Sequence, residues 1–130
     1  MAQPGRETRR TSLSYFAQVT DFPAYWMRRQ GDPLVSTERY ERESPHLRAA
    51  QITTPMLVIH GDKDYRVPIG EGLRLWWDLQ RAGVESKFLY FPDENHWVLQ
   101  PGDAKLWYRS VWAFLDHHVL HRPWERPALV

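Results

Sequence analysis

The sequence predicts an α/β protein, a short parallel sheet flanked by helices. "PMLVIHG" at 55–61 is a continuous apolar run between a proline and a glycine, the pattern of a strand buried on both faces of a parallel sheet, and "SKFLYF" at 86–91 reads as a second strand. Between them and after them lie stretches with helical spacing of apolar residues. The order is therefore strand, helix, strand, loop, helix: a βαβα unit with a right-handed crossover.

Each element has a local reason. Asp21 is placed to cap a short helix through "FPAYWMRRQ", with Pro23 in its first turn and Gly31 just past its end. The segment 32–44, "DPLVSTERYERES", is charged and turn-rich and reads as a surface connection with one more helical turn. The first strand is expected at 56–60. Pro68 opens a helix over 68–82, in which Ile69, Leu73, Trp76 and Gln80 form one stripe with Gly72, Leu75 and Leu79 beside it. Gly83 stands where a left-handed C-terminal cap belongs. The second strand, 86–91, ends at Pro92. Asp103 is placed to cap a last helix over 103–120, where Ala104, Trp107, Tyr108, Val111, Leu115 and Val119 recur at three- and four-residue steps. Trp76, Trp77, Trp107 and Trp112 read as helix faces against the sheet.

Composition narrows the function classes. The 130 residues are 42% hydrophobic, enough for one core. Seventeen basic against sixteen acidic residues leave a net charge of +1, so no broad field draws the chain to nucleic acid or an anionic membrane. The absence of cysteine excludes disulfides, thiolate catalysis and cysteine-ligated zinc. The opening "MAQPGRETRRT" lacks the apolar core of a signal peptide, which sets the expectation of a cytoplasmic protein.

In a parallel sheet the reactive groups gather at the carboxyl ends of the strands. Asp62 and Asp64 fall in the loop after the first strand and His96 in the loop after the second, 32 residues beyond Asp64. Both loops open on one edge. A carboxylate there can fix the tautomer of the imidazole and stabilise the imidazolium formed when the histidine takes a proton. His60, ending a buried strand, reads as a packed or hydrogen-bonded residue. His117, His118 and His121 include an i, i+4 pair with zinc-site spacing, but no third ligand stands nearby in sequence, and a helix C-terminus favours histidine through its dipole. The sequence thus implies no metal and no cofactor.

Ser44-Pro45, "ITTPMLVIHGDKDYRVP", "GVESKFLYFPDENHW" and "WYRSVWAFLDHHV" together resemble the C-terminal part of the catalytic domain of prolyl oligopeptidase-family serine peptidases, near the acylaminoacyl and dipeptidyl peptidase branches. The similarity spans roughly residues 12 to 120. It implies a partial α/β-hydrolase fold, with Asp64 as triad acid and His96 as general base. It also implies that Arg66 hydrogen-bonds a substrate carbonyl and that Val67 lies near the P1 pocket. Asp62 stands at a more variable position and reads as a turn residue accepting local backbone N–H bonds. The resulting division is a polar segment at 1–11, the C-terminal portion of the catalytic domain at 12–122, and a tail at 123–130.

One part of the pattern is missing. The fold's nucleophile sits on a G-x-S-x-G elbow ahead of the acid. No serine here, at 12, 14, 36, 44, 86 or 110, has a glycine two residues away on either side. Ser12, Ser14 and Ser44 lack the elbow signature of a substitute. The chain is accordingly expected to begin past the nucleophile of the family pattern and to be inactive alone. The alternative is a non-catalytic interaction module derived from this domain. The first strand, "MLVI", would have lost its neighbour, so the expected partner is a second copy of the chain or a chain supplying the nucleophile half, and no nucleic acid or membrane.

Overall fold

A computed structural model describes residues 12–128; the polar segment 1–11 lies outside the described residues. Three helices, α1 (Ser12–Val19), α2 (Pro23–Gln30) and α3 (Thr37–Glu43), and a 3-10 turn at Pro45–Gln51 precede the α/β unit. That unit consists of β1 (Met56–Gly61), α4 (Ile69–Arg81), β2 (Ser86–Phe91) and α5 (Pro101–Leu120). The strands pair in parallel with Met56 opposite Ser86 and Gly61 opposite Phe91, and among the described residues they make up the whole sheet. Both strands therefore end at the same edge.

The core is a cluster of Val58, Leu79 and Val84, with Ile52, Met56, Leu75, Trp76 and Phe88 packed around it. Leu79 is fully buried, a placement that stabilises the fold by about 1.5–3 kcal/mol. Gly72 lets α4 approach β1: a Cβ there would lie 2.5 Å from Nδ1 of His60. Gly83 takes φ +71° and closes α4 as its spacing predicts. A smaller cluster holds the N-terminal helices, where buried Tyr40 donates its hydroxyl to the Gly31 carbonyl at 2.8 Å.

Several details differ from the sequence reading. The 32–44 segment gains two helical turns, not one, in α3. Phe22 occupies the N-cap of α2, and the Asp21 carboxylate faces Arg66 instead. Helix α5 starts two residues early, with Pro101 in the first turn, so Asp103 sits inside the helix and caps nothing. Its buried stripe runs through Ser110 and Phe114, whereas Tyr108, Leu115 and Val119 are exposed. On α4, Gly72 and Leu79 face inward while Leu73 is exposed. Trp76 packs on Phe88 with ring centroids 5.8 Å apart, but Trp77 and Trp112 face outward. Both helices carry apolar residues on more than one face, so periodicity alone left the rotation open. Beyond α5 the chain folds back: Trp124 of the 123–130 tail stacks under the Lys87 ammonium at 4.3 Å. No helix among the described residues is long and apolar enough to cross a membrane.

Candidate active site

Gly61 ends β1 and the chain turns at once into "DKD". The parallel ladder continues one step past the strands, with Asp62 N–H donating to the Phe91 carbonyl at 2.9 Å. Lys63 N–H then donates to the Glu94 carbonyl at 3.0 Å, and the Lys63 ammonium pairs with Asp93 at 2.7 Å. These contacts lace the two loops together. A side chain at Gly61 would run into the Glu94 carbonyl and lie 2.7 Å from that of Asn95. Only glycine permits this approach.

The lacing places Asp64 under His96. The Asp64 side chain is 7% exposed and each oxygen has its own work. Oδ1 accepts the backbone N–H groups of Arg66 (2.9 Å) and Val67 (2.8 Å), a local turn that fixes the carboxylate's orientation. Oδ2 accepts from Nδ1 of His96 at 2.9 Å. The imidazole side chain is 43% exposed and meets the Trp97 ring edge to face at 5.7 Å. With Nδ1 committed to the carboxylate, Nε2 is the nitrogen left to exchange a proton. His60 approaches Oδ2 only to 3.6 Å and donates Nε2–H to the Val67 carbonyl at 2.7 Å, so it buttresses the turn.

The other expected residues are placed less simply. Arg66 directs Nε and one Nη to Asp21 at 2.8 and 3.4 Å and lies over the Phe22 ring at 5.1 Å. The hydrogen bond from Arg66 holds the Asp21 carboxyl below its ordinary value, and Asp21 raises Arg66 in turn. Val67 lines a mostly apolar cavity of ≈ 370 Å³ with Ile52, Val58 and Leu75. Burial, and after it the nearby Asp62 carboxylate, raise the Tyr90 hydroxyl above its ordinary value. Ser44 is buried and accepts the Leu13 N–H at 3.2 Å. The hydroxyls of Ser12 and Ser14 lie outside the described residues. Among the described residues, no serine hydroxyl hydrogen-bonds the His96 ring.

Sequence reasoning missed Glu94. It is buried, and its carboxylate accepts the N–H groups of Leu99 (3.1 Å) and Gln100 (2.7 Å), capping the approach to α5. Its backbone carbonyl meanwhile holds the acid loop. Glu94 thus fixes both sides of the His96 loop. Its place six residues before Gln100 matches no standard capping spacing, and no sequence signal would have found it.

The prolyl oligopeptidase family profile matches residues 10–122. The chain belongs to that family. A dipeptidyl-peptidase 5 of Aspergillus fumigatus is 42% identical over 106 residues, 78% of this chain and 15% of that protein. The dipeptidyl-peptidase 5 of Porphyromonas endodontalis is 42% identical over 81 residues, 62% of this chain and 12% of its own length. The chain therefore spans about a ninth to a seventh of the length of the curated relatives it matches. Among solved structures, the Pyrococcus horikoshii acylaminoacyl peptidase superposes with a TM-score of 0.78 at 22% identity, covering 88% of this chain and 19% of that one. A Mycobacterium tuberculosis puromycin-hydrolyzing peptidase gives 0.71 at 28% identity, covering 83% and 17%. The βαβα unit is part of an α/β-hydrolase fold.

Proposed function

We propose that this chain supplies the acid and base of a serine peptidase site that cleaves peptide or acyl-peptide bonds. Asp64 is the triad acid and His96 the general base. The single observation that carries this reading is the 2.9 Å contact from His96 Nδ1 to a carboxylate already oriented by two backbone N–H groups. In that role Nε2 removes the proton of a serine hydroxyl as its oxygen bonds to the substrate carbonyl carbon. The same proton then passes to the departing amine as the peptide bond breaks. Asp64 stabilises the intervening imidazolium and keeps the ring in register. Arg66 would meet a substrate carbonyl with the donors that Asp21 does not engage, and Val67 would shape the apolar pocket beside it.

The serine and the oxyanion donors of this reaction come, in our reading, from polypeptide other than these 130 residues, since no G-x-S-x-G elbow occurs within them. Losing such a serine costs on the order of a millionfold in turnover. A fluorophosphonate probe tests this directly. It should label no serine of the 130-residue chain, and should label the elbow serine once the nucleophile-bearing segment is joined to it. Labelling at any serine of the chain itself would overturn the reading.

A second reading, a self-associating module, draws on two features. Tyr108, Trp112, Leu115 and Val119 form an exposed apolar stripe along α5. The outer edge of β1 pairs with no strand among the described residues. Sedimentation equilibrium at micromolar concentration separates the readings: a mass that rises with concentration supports association, and a monomer rejects it.

A further inference from the structure

At the opposite end of β2 from the His96 loop, three side chains with metal-binding atoms converge: Glu85, His117 and His118. Their ligand atoms all lie within 4.8 Å of one another. Oε1 of Glu85 is 3.9 Å from Nε2 of His117 and 3.7 Å from Nε2 of His118. These separations are too long for hydrogen bonds. They lie a few tenths of an ångström beyond what ligands about 2.0–2.2 Å from one tetrahedral ion would show.

Three further facts shape the cluster. His117 Nδ1–H donates to the Arg122 carbonyl at 2.8 Å, which leaves the lone pair on Nε2, facing Glu85. Such a backbone contact is how metal-binding histidines are commonly held in the right tautomer. His118 is only 13% exposed, packs its ring on Phe114 at 4.3 Å, and has a buried Nε2 with no hydrogen-bond partner. A buried polar atom left unpaired is costly, and a bound ion would satisfy it. Glu85 is fixed in the ladder through its carbonyl, which accepts the Met56 N–H at 3.1 Å, so its carboxylate starts from a rigid point.

We propose that Glu85, His117 and His118 form a binding site for a zinc-class divalent ion, which pins the end of α5 to the start of β2. Two neutral imidazoles and one carboxylate suit zinc and its neighbours in the first transition row, whereas calcium and magnesium favour oxygen-only shells. Water completes the shell on the exposed side, where the Glu85 side chain is 56% accessible. His121, the i, i+4 partner of His117, takes no part: its backbone turns left-handed at φ 56° and leaves the helix.

Titration calorimetry of the untagged, chelator-treated chain with zinc should find one ion per chain. Cobalt in its place should give the visible absorption of a four-coordinate site. Glu85→Gln should weaken zinc binding by roughly tenfold or more, abolish the zinc-induced rise in melting temperature, and leave the metal-free fold intact because the carboxylate is exposed. His118→Ala should act likewise, and His121→Ala should change nothing. If His118→Ala fails to fold, Glu85→Gln carries the test. Absence of binding at micromolar zinc would overturn the proposal. So would affinity that survives Glu85→Gln or depends on His121, the mark of a surface pair on the helix alone.

Discussion

The two ends of the same pair of strands treat charge in opposite ways. At the carboxyl end every buried carboxylate is saturated: Asp64 accepts three hydrogen bonds and Glu94 accepts two backbone N–H groups. At the amino end Glu85 faces two imidazoles beyond hydrogen-bonding distance, and one buried ring nitrogen has no partner. In the proposed role the saturated end is preorganised to hold one geometry while a proton moves, and its two buried carboxylates already have their hydrogen-bond partners. The unsaturated end has room for a ligand. Preorganised dipoles that need no rearrangement during the reaction are what acid–base chemistry rewards.

The sharpest way to break the saturated end is Asp64→Asn. An amide can donate to His96 Nδ1, which moves the ring proton to Nε2 and leaves no base facing the nucleophile. Turnover of the completed enzyme on a peptide substrate should fall about ten-thousandfold, with little change in melting temperature. A loss of only a few fold would show that the carboxylate does not set the tautomer. At the amino end Glu85→Gln should leave that turnover unchanged, which separates the two ends.

Glycine substitutions test the crowding itself. Gly61→Ala drives a methyl into two backbone carbonyls that cannot rotate away, and should cost about 1–3 kcal/mol or more in urea unfolding. It should also displace His96 from Asp64. Gly102, in the first turn of α5, has open space at the same position. Gly102→Ala should therefore gain about 0.5–1 kcal/mol by restricting the unfolded chain. Equal effects at the two positions would mean that the loops do not approach as closely as the geometry has them.

How much of this was legible depended on distance along the chain. Both strands and the helix α4 lie within a residue of where the apolar runs and their Pro and Gly boundaries put them, because those signals are local. Asp64 and His96 meet because parallel topology sends both loops to one edge. The rest depended on contacts that no periodicity encodes. Asp21 pairs with Arg66 across 45 residues, and Glu85 stands 32 residues from His117, so neither the missing cap of α2 nor a third metal ligand was visible. The rotation of α5 was hidden for another reason. Apolar residues surround it, and Ser110, a polar residue, lies on its buried side.

The smallest effect tests whether the saturated end carries any strain. Asp103 lies in the first turn of α5, where the helix dipole favours a negative charge. Yet partial burial, and after it the charge and hydrogen bond of Glu94, push its carboxyl above the ordinary value of 3.8. A raised carboxyl favours folding while protonated in the folded state. That contribution is fully present below 3.8 and is lost as pH rises through the folded value. At neutral pH the ionised Asp103 therefore opposes the arrangement Glu94 stabilises, and Asp103→Asn should melt at a slightly higher temperature than the parent chain. The difference should shrink as pH falls toward the carboxylate range and vanish below it. Melts across that range decide the point. If Asp103→Asn melts lower at neutral pH, the dipole outweighs Glu94, and the crowding of carboxylates beside the His96 loop carries no cost.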